Sequence, residues 1–116
     1  MRIASNTLRR KARFNGAYAA ATAGTTQTQA GATLLTGGIN FVTTGNASDG
    51  VLLPSNYNRG EMVVIVNSSG AALNVYPGTD GKINNGSANA AKALAANMTG
   101  LYVSLGSNSW GAVLSA

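Results

Sequence analysis

From Thr33 onward the chain is a series of short apolar runs cut by Gly, Asn, Asp and Ser, and this punctuation constrains the fold more than any other feature. Runs this short suit strands, and the residues between them are turn formers. Ile39-Asn40-Phe41-Val42-Thr43-Thr44 alternates and is rich in β-formers, and Gly45 to Gly50 turns it into Val51-Leu52-Leu53, which Pro54 ends. Glu61-Met62-Val63-Val64-Ile65-Val66-Asn67 is the strongest strand, and its unbroken apolar centre predicts burial on both faces. Ser68-Ser69-Gly70 leads into Ala71 to Tyr76, which reads as a hairpin with the preceding strand. Pro77 to Gly81 is a turn cluster, Lys82-Ile83-Asn84 a short strand, and Ser87 to Asn97 an Ala-rich stretch that reads as a helical turn, a β segment or irregular chain. A second hairpin, Leu101 to Leu105 with Ser109 to Leu114 around Gly106-Ser107-Asn108, ends the chain.

These elements predict an all-β fold, a small β-sandwich or barrel of about six to seven strands, preceded by an extended or short-helical N-terminal arm. The chain divides into a basic arm and linker over 1–32, with 21–32 read as linker or extended edge segment, and a β domain over 33–116. Hydrophobic residues make up 45% of the sequence, but much of that is alanine and aromatics reach only 6%. A core of Ala, Val and Leu buries little area per residue, at about 25 cal/mol per Å². Association with further copies or with a large partner is therefore expected.

Charge is scarce, at 9% of residues, against roughly 25% in ordinary soluble domains. What there is lies unevenly: Arg2, Arg9, Arg10, Lys11 and Arg13 supply the whole net charge of +5, while three cations and three carboxylates cancel in the remainder. An arm of this kind suits an acidic protein surface, with salt-sensitive phosphate binding the less favoured use and a simple solvated terminus the plain alternative. Ile3, Leu8, Phe14 and Tyr18 interleave with the basic residues as apolar anchors. Residues 17–23 make a poor signal-peptide core, and no run approaches the length of a membrane span, so no membrane partner is expected.

No His and no Cys occur. Their absence removes the usual general base and the usual zinc ligands, and Asp49, Glu61 and Asp80 are too few for a metal cage or a glycosidase pair. A Ser–Lys pair through Lys82 or Lys92 is formally open, though both lie in or near turns. Asp49-Gly50 and Asp80-Gly81 read as turn formers. Tyr102 and Trp110 read as cross-strand packing in preference to a sugar-stacking platform. The expectation is a non-enzyme with no catalytic residue, no metal and no cofactor.

Three segments together resemble a module of tailed-bacteriophage virion proteins. They are Val63-Val64-Ile65-Val66-Asn67-Ser68-Ser69-Gly70-Ala71-Ala72-Leu73-Asn74-Val75-Tyr76-Pro77, the run Gly81 to Ala90, and the closing Trp110 hairpin. Val51-Leu52-Leu53-Pro54 is similar to the Leu-Pro strand end of the same module, so the likeness covers residues 40–114. It implies a β-rich, often trimeric structural protein on the virion, of the capsid decoration (cement) or head-fibre type. The expected partners are the major capsid protein and further copies of the chain, and the expected location is the capsid surface. The arm lies outside the shared module. Its role as the capsid-binding segment, through Arg2, Ile3, Leu8, Arg9, Arg10, Lys11, Arg13, Phe14 and Tyr18, rests on charge and position alone. The alternatives are a fibre or tail-associated host-binding module that recognises surface glycans, and nucleic-acid packaging through the arm.

Overall fold

The β-formers of the body do not simply pair with their neighbours in sequence; they alternate between two layers. The computed structural model describes residues 18–115, in which there are nine strands. They are β1 (Tyr18–Thr22), β2 (Thr33–Leu34), β3 (Ile39–Thr44), β4 (Gly50–Leu52), β5 (Met62–Asn67), β6 (Leu73–Tyr76), β7 (Lys92–Leu94), β8 (Thr99–Gly106) and β9 (Ser109–Leu114). Sheet A has five strands in the order β1-β3-β5-β8-β9, and sheet B has four in the order β2-β4-β6-β7. The all-β reading holds, with two corrections: there are more strands than the six or seven expected, and neither sheet closes into a barrel.

Odd strands β1, β3 and β5 run parallel in sheet A, and even strands β2, β4 and β6 run parallel in sheet B. Parallel neighbours need a long crossover. Here the crossover is the strand in the opposite sheet, so the chain makes three stacked coils before β7, β8 and β9 return antiparallel. The β5–β6 hairpin expected from Ser68-Ser69-Gly70 is therefore absent: the segment is an arch that carries the chain from one sheet to the other. Both flanks of β5 are already taken, by β3 and β8, which leaves β6 to pair with β4. The β8–β9 hairpin forms as expected, with Gly106, Ser107 and Asn108 all at positive φ. Residues 82–84 form only an isolated bridge, Ile83 to Trp110, and the Ala-rich stretch contributes β7.

Between the sheets, Val42, Val63, Ile65, Tyr102 and Trp110 from sheet A meet Val51, Leu73, Val75 and Leu94 from sheet B, each at most 1% exposed. β5 shows the period of two that a sheet imposes, with Val63, Ile65 and Asn67 buried and Met62, Val64 and Val66 only half-buried. The turns explain the wealth of asparagine. Of the nine non-glycine residues at positive φ among the described residues, five are asparagines (Asn56, Asn84, Asn89, Asn97, Asn108), the side chain that tolerates the left-handed region best after glycine. Asp49 and Asp80 act as the turn formers expected. The Asp49 carboxylate accepts the Asn46 N–H (2.9 Å), and Asp80 stands at φ 63° in the Pro77–Gly81 turn.

Two buried groups stand out. The Tyr102 hydroxyl and the Trp110 indole N–H are buried and have no hydrogen-bond partner. Tyr102 lies across Gly100, where an added Cβ would come within 2.6 Å of its ring, so the pair fills one place in the sheet that glycine alone leaves empty. Tyr102→Phe should therefore stabilise the fold by about 1 kcal/mol in urea denaturation, because it deletes an unsatisfied polar group and keeps the ring. Burial also raises the Tyr102 phenol far above its ordinary 10.0. The folded state then holds a proton that the unfolded state loses, so stability falls as pH rises past about 10. The slope is about 1.4 kcal/mol per pH unit, and Tyr102→Phe should remove that share of the alkaline loss.

Candidate assembly surface

The outward face of sheet A is built by the same register that fills the core. One row crosses four strands, Ile39 beside Val64, Val64 beside Leu101 and Leu101 beside Val113, and the backbone of Tyr18 continues it onto β1. A second row places Met62 beside Val103 and Val103 beside Gly111. A third joins Phe41 to Val66. The β5, β8 and β3 members are half-buried, and Val113 on the last strand is 70% exposed. No residue of any sheet A strand is charged. Among the described residues, two charges stand at the rim: the Arg59 Nε donates to the Leu105 carbonyl (3.2 Å) and Glu61 Oε1 accepts the Asn58 N–H (2.6 Å). The apolar centre of β5 was expected to be buried on both faces. Within one copy it is buried on one only, and the other forms this surface.

The sheet edges differ in how they end. At β9 the Lys82–Asn84 segment takes the edge: Trp110 N–H donates to the Lys82 carbonyl and Asn84 N–H to the Trp110 carbonyl, both at 2.8 Å. The Asn84 side chain then imitates a peptide group, accepting the Ala112 N–H (2.8 Å) and donating to the Ala112 carbonyl (3.4 Å). β7 begins with Lys92, a charge of the kind that blunts an edge. β1 is the other outer strand of sheet A, and the chain enters the sheet there at Tyr18.

Of the expected capsid-binding residues, Arg2, Ile3, Leu8, Arg9, Arg10, Lys11, Arg13 and Phe14 lie outside the described residues, and Tyr18 is placed by its backbone in β1. The segment 21–32, read as linker or edge, is in part an edge strand, and its Ala23 belongs to the core at 3% exposure. Trp110 is 1% exposed and packs against Tyr57, with ring centroids 5.6 Å apart and planes at 49°. It is therefore a core residue and offers no stacking surface. It stands opposite Ser104, so Tyr102, opposite Ala112, is its diagonal and not its direct cross-strand neighbour. Burial, and after it the negative charge of Glu61, raises the Tyr57 phenol above its ordinary value. Among the described residues no group of three or more Asp and Glu side chains gathers where a metal could be held. Lys82 and Ser109 do meet, but through the Lys82 backbone N–H and Ser109 Oγ (3.3 Å). The sheet A face was not singled out from the sequence as a site; its only signal was the unbroken apolar run of β5. No protein-family model matches the chain, and no curated protein sequence matches it either.

Proposed function

We propose that this chain is a structural virion protein, a capsid decoration (cement) protein that binds the shell of major capsid protein and stabilises it, associating as a trimer. The observation that carries the reading is the division of labour along the chain. The whole net charge of +5 sits in the first 13 residues, and the strands of sheet A are uncharged and present an apolar face. The phage-like segments from Val51 to Trp110 favour a virion setting for such a body. In this reading the protein performs no catalysis. Its basic residues pair with acidic patches on the capsid subunits while Ile3, Leu8, Phe14 and Tyr18 dock as apolar anchors. Arms linked through one oligomer bind with an avidity well above that of any single arm. The glycan-binding alternative rests on polar loops rich in Asn, Ser and Thr, and the burial of the Trp110 indole takes away the aromatic platform it would have used.

The test uses capsids of the encoding phage purified without this protein. Neutralising Arg9, Arg10, Lys11 and Arg13 together to Ala leaves the sequence of β1 intact, whereas a deletion running to Ala20 would remove three of its five residues. In co-sedimentation the variant should bind at least about tenfold more weakly, on roughly 0.3–1 kcal/mol per exposed ionic contact, and wild-type binding should weaken with salt. Wild-type-like occupancy by the variant at raised salt would overturn the arm's role.

A further inference from the structure

We propose that the outer face of sheet A is a self-association surface, covered in the working protein by the same face of further copies of this chain. The inference rests on the assembly reading and names the partner of the surface described above. Met62, Val64, Val66, Leu101, Val103 and Val113 have the β-branched and aliphatic character of a sandwich interior, where two sheets of the same twist pack face to face. An apolar run buried on both sides of a strand requires a layer over each face, and a single copy supplies one.

Charge argues for the occupant. The chain's own first 13 residues carry five cations, and no carboxylate on the sheet A strands waits to receive them. An acidic or basic partner would likewise find no opposite charge there. A second copy brings a face with no charge on a body whose three cations and three carboxylates cancel, so copies meet without repulsion. Area argues for more than one neighbour. Five strands about 4.8 Å apart and roughly 20 Å long make a face on the order of 400–500 Å². That matches the largest apolar patch a monomer ordinarily shows, about 300–600 Å² and often functional, and is below the roughly 800 Å² per partner of a stable pair. Copies closed into a ring, each touching two neighbours, bring the bordering strands into the contact as well.

The experiment is sedimentation velocity of the full chain from about 1 to 200 μM, with wild type, Val64→Lys and Val113→Lys. Wild type should sediment as an oligomer. Either lysine should raise the dissociation constant at least about a hundredfold, because assembly would bury an unpaired ammonium. Both variants should keep the wild-type circular dichroism spectrum, and Val113, mostly exposed on the last strand, keeps the test open if Val64→Lys misfolds. A monomeric wild type, or a folded lysine variant that assembles as wild type does, overturns the inference. A monomeric wild type that Val64→Lys destabilises also overturns it, and gives the face to the chain's own N-terminal residues. Shell binding is read separately. A monomer that binds capsids defeats this inference and the proposed trimer but spares the capsid-binding role, and an oligomer that ignores capsids does the reverse.

Discussion

Asn67→Ala is expected to cost about 3–5 kcal/mol, a large share of the roughly 5–15 kcal/mol available to a domain of this size. Asn67 ends β5 with its side chain turned inward, fully buried at the arch where the chain leaves sheet A for sheet B. Its Nδ2 shares its two hydrogens among three carbonyls, Ala71 at 2.7 Å, Leu94 at 3.0 Å and Ala95 at 3.1 Å, and so ties the β5–β6 arch to the end of β7. Its Oδ1 accepts from the Ser69 N–H (3.1 Å) and the Ser69 hydroxyl (2.7 Å), which holds the arch in shape. Alanine removes all five contacts; the Ala71 and Ala95 carbonyls keep second donors, the Ser69 hydroxyl and the Met98 N–H (both 3.2 Å), so the loss falls on the Leu94 carbonyl and the Ser69 N–H, at about 1–3 kcal/mol for each group left unpaired. Asn67→Asp keeps the shape but points an acceptor at those carbonyls. Burial would raise that carboxyl's folded pKa, so the variant should be least stable at neutral pH and recover as pH falls and the acid is protonated. Urea denaturation between pH 4 and 8 reads both effects. A loss below about 1 kcal/mol for Asn67→Ala would mean that the arch is held by something else.

Gly81→Ala should be nearly as damaging, by about 3 kcal/mol or more, for a reason of space. A Cβ at Gly81 would collide with the backbone carbonyl oxygen of Asn108 and come within 2.9 Å of its Cβ. Backbone cannot step aside as the end of a flexible side chain can. The collision marks the place where the β8–β9 turn sits on the Pro77–Gly81 turn, secured by Asn108 Nδ2 donating to the Thr79 carbonyl (3.1 Å). Gly78 is nearly as tight, since its Cβ would lie 2.7 Å from Asn108 Cγ. Gly111→Ala is the matched control: nothing lies within 4 Å of a Cβ there, so a change near zero is expected. Thermal melts of the two variants beside wild type make the comparison.

What the sequence revealed and what it hid have physical causes. β3, β5, β8 and β9 were legible because each carries several β-formers between turn residues, alternating in β3 and unbroken in β5. β1 and β7 were not. Tyr18-Ala-Ala-Ala-Thr22 and Lys92-Ala-Leu94 have almost no apolar contrast between their faces, as outer strands of a sheet can afford. The pairing was hidden for another reason: Ser68-Ser69-Gly70 serves an arch as well as a hairpin, and only the occupied flanks of β5 decide between them. The coils also escaped notice because their spacing is unequal, from Tyr18 to Ile39 and then from Ile39 to Val64, so no repeat shows. Asn67 read simply as the last residue of its strand, and its part as a buried tie depends on carbonyls of Leu94 and Ala95, supplied by a distant segment. The assembly face was half visible, since the apolar run of β5 showed that both sides want cover but not that one side is left for a neighbour.

Electron cryo-microscopy of capsids prepared without the protein and then saturated with it decides whether this chain coats a shell. The proposed function predicts ordered density on the outer shell surface, fitted by the two-sheet body, with the N-terminal segment reaching onto the capsid subunits. Shells that gain no density at saturating protein would contradict it.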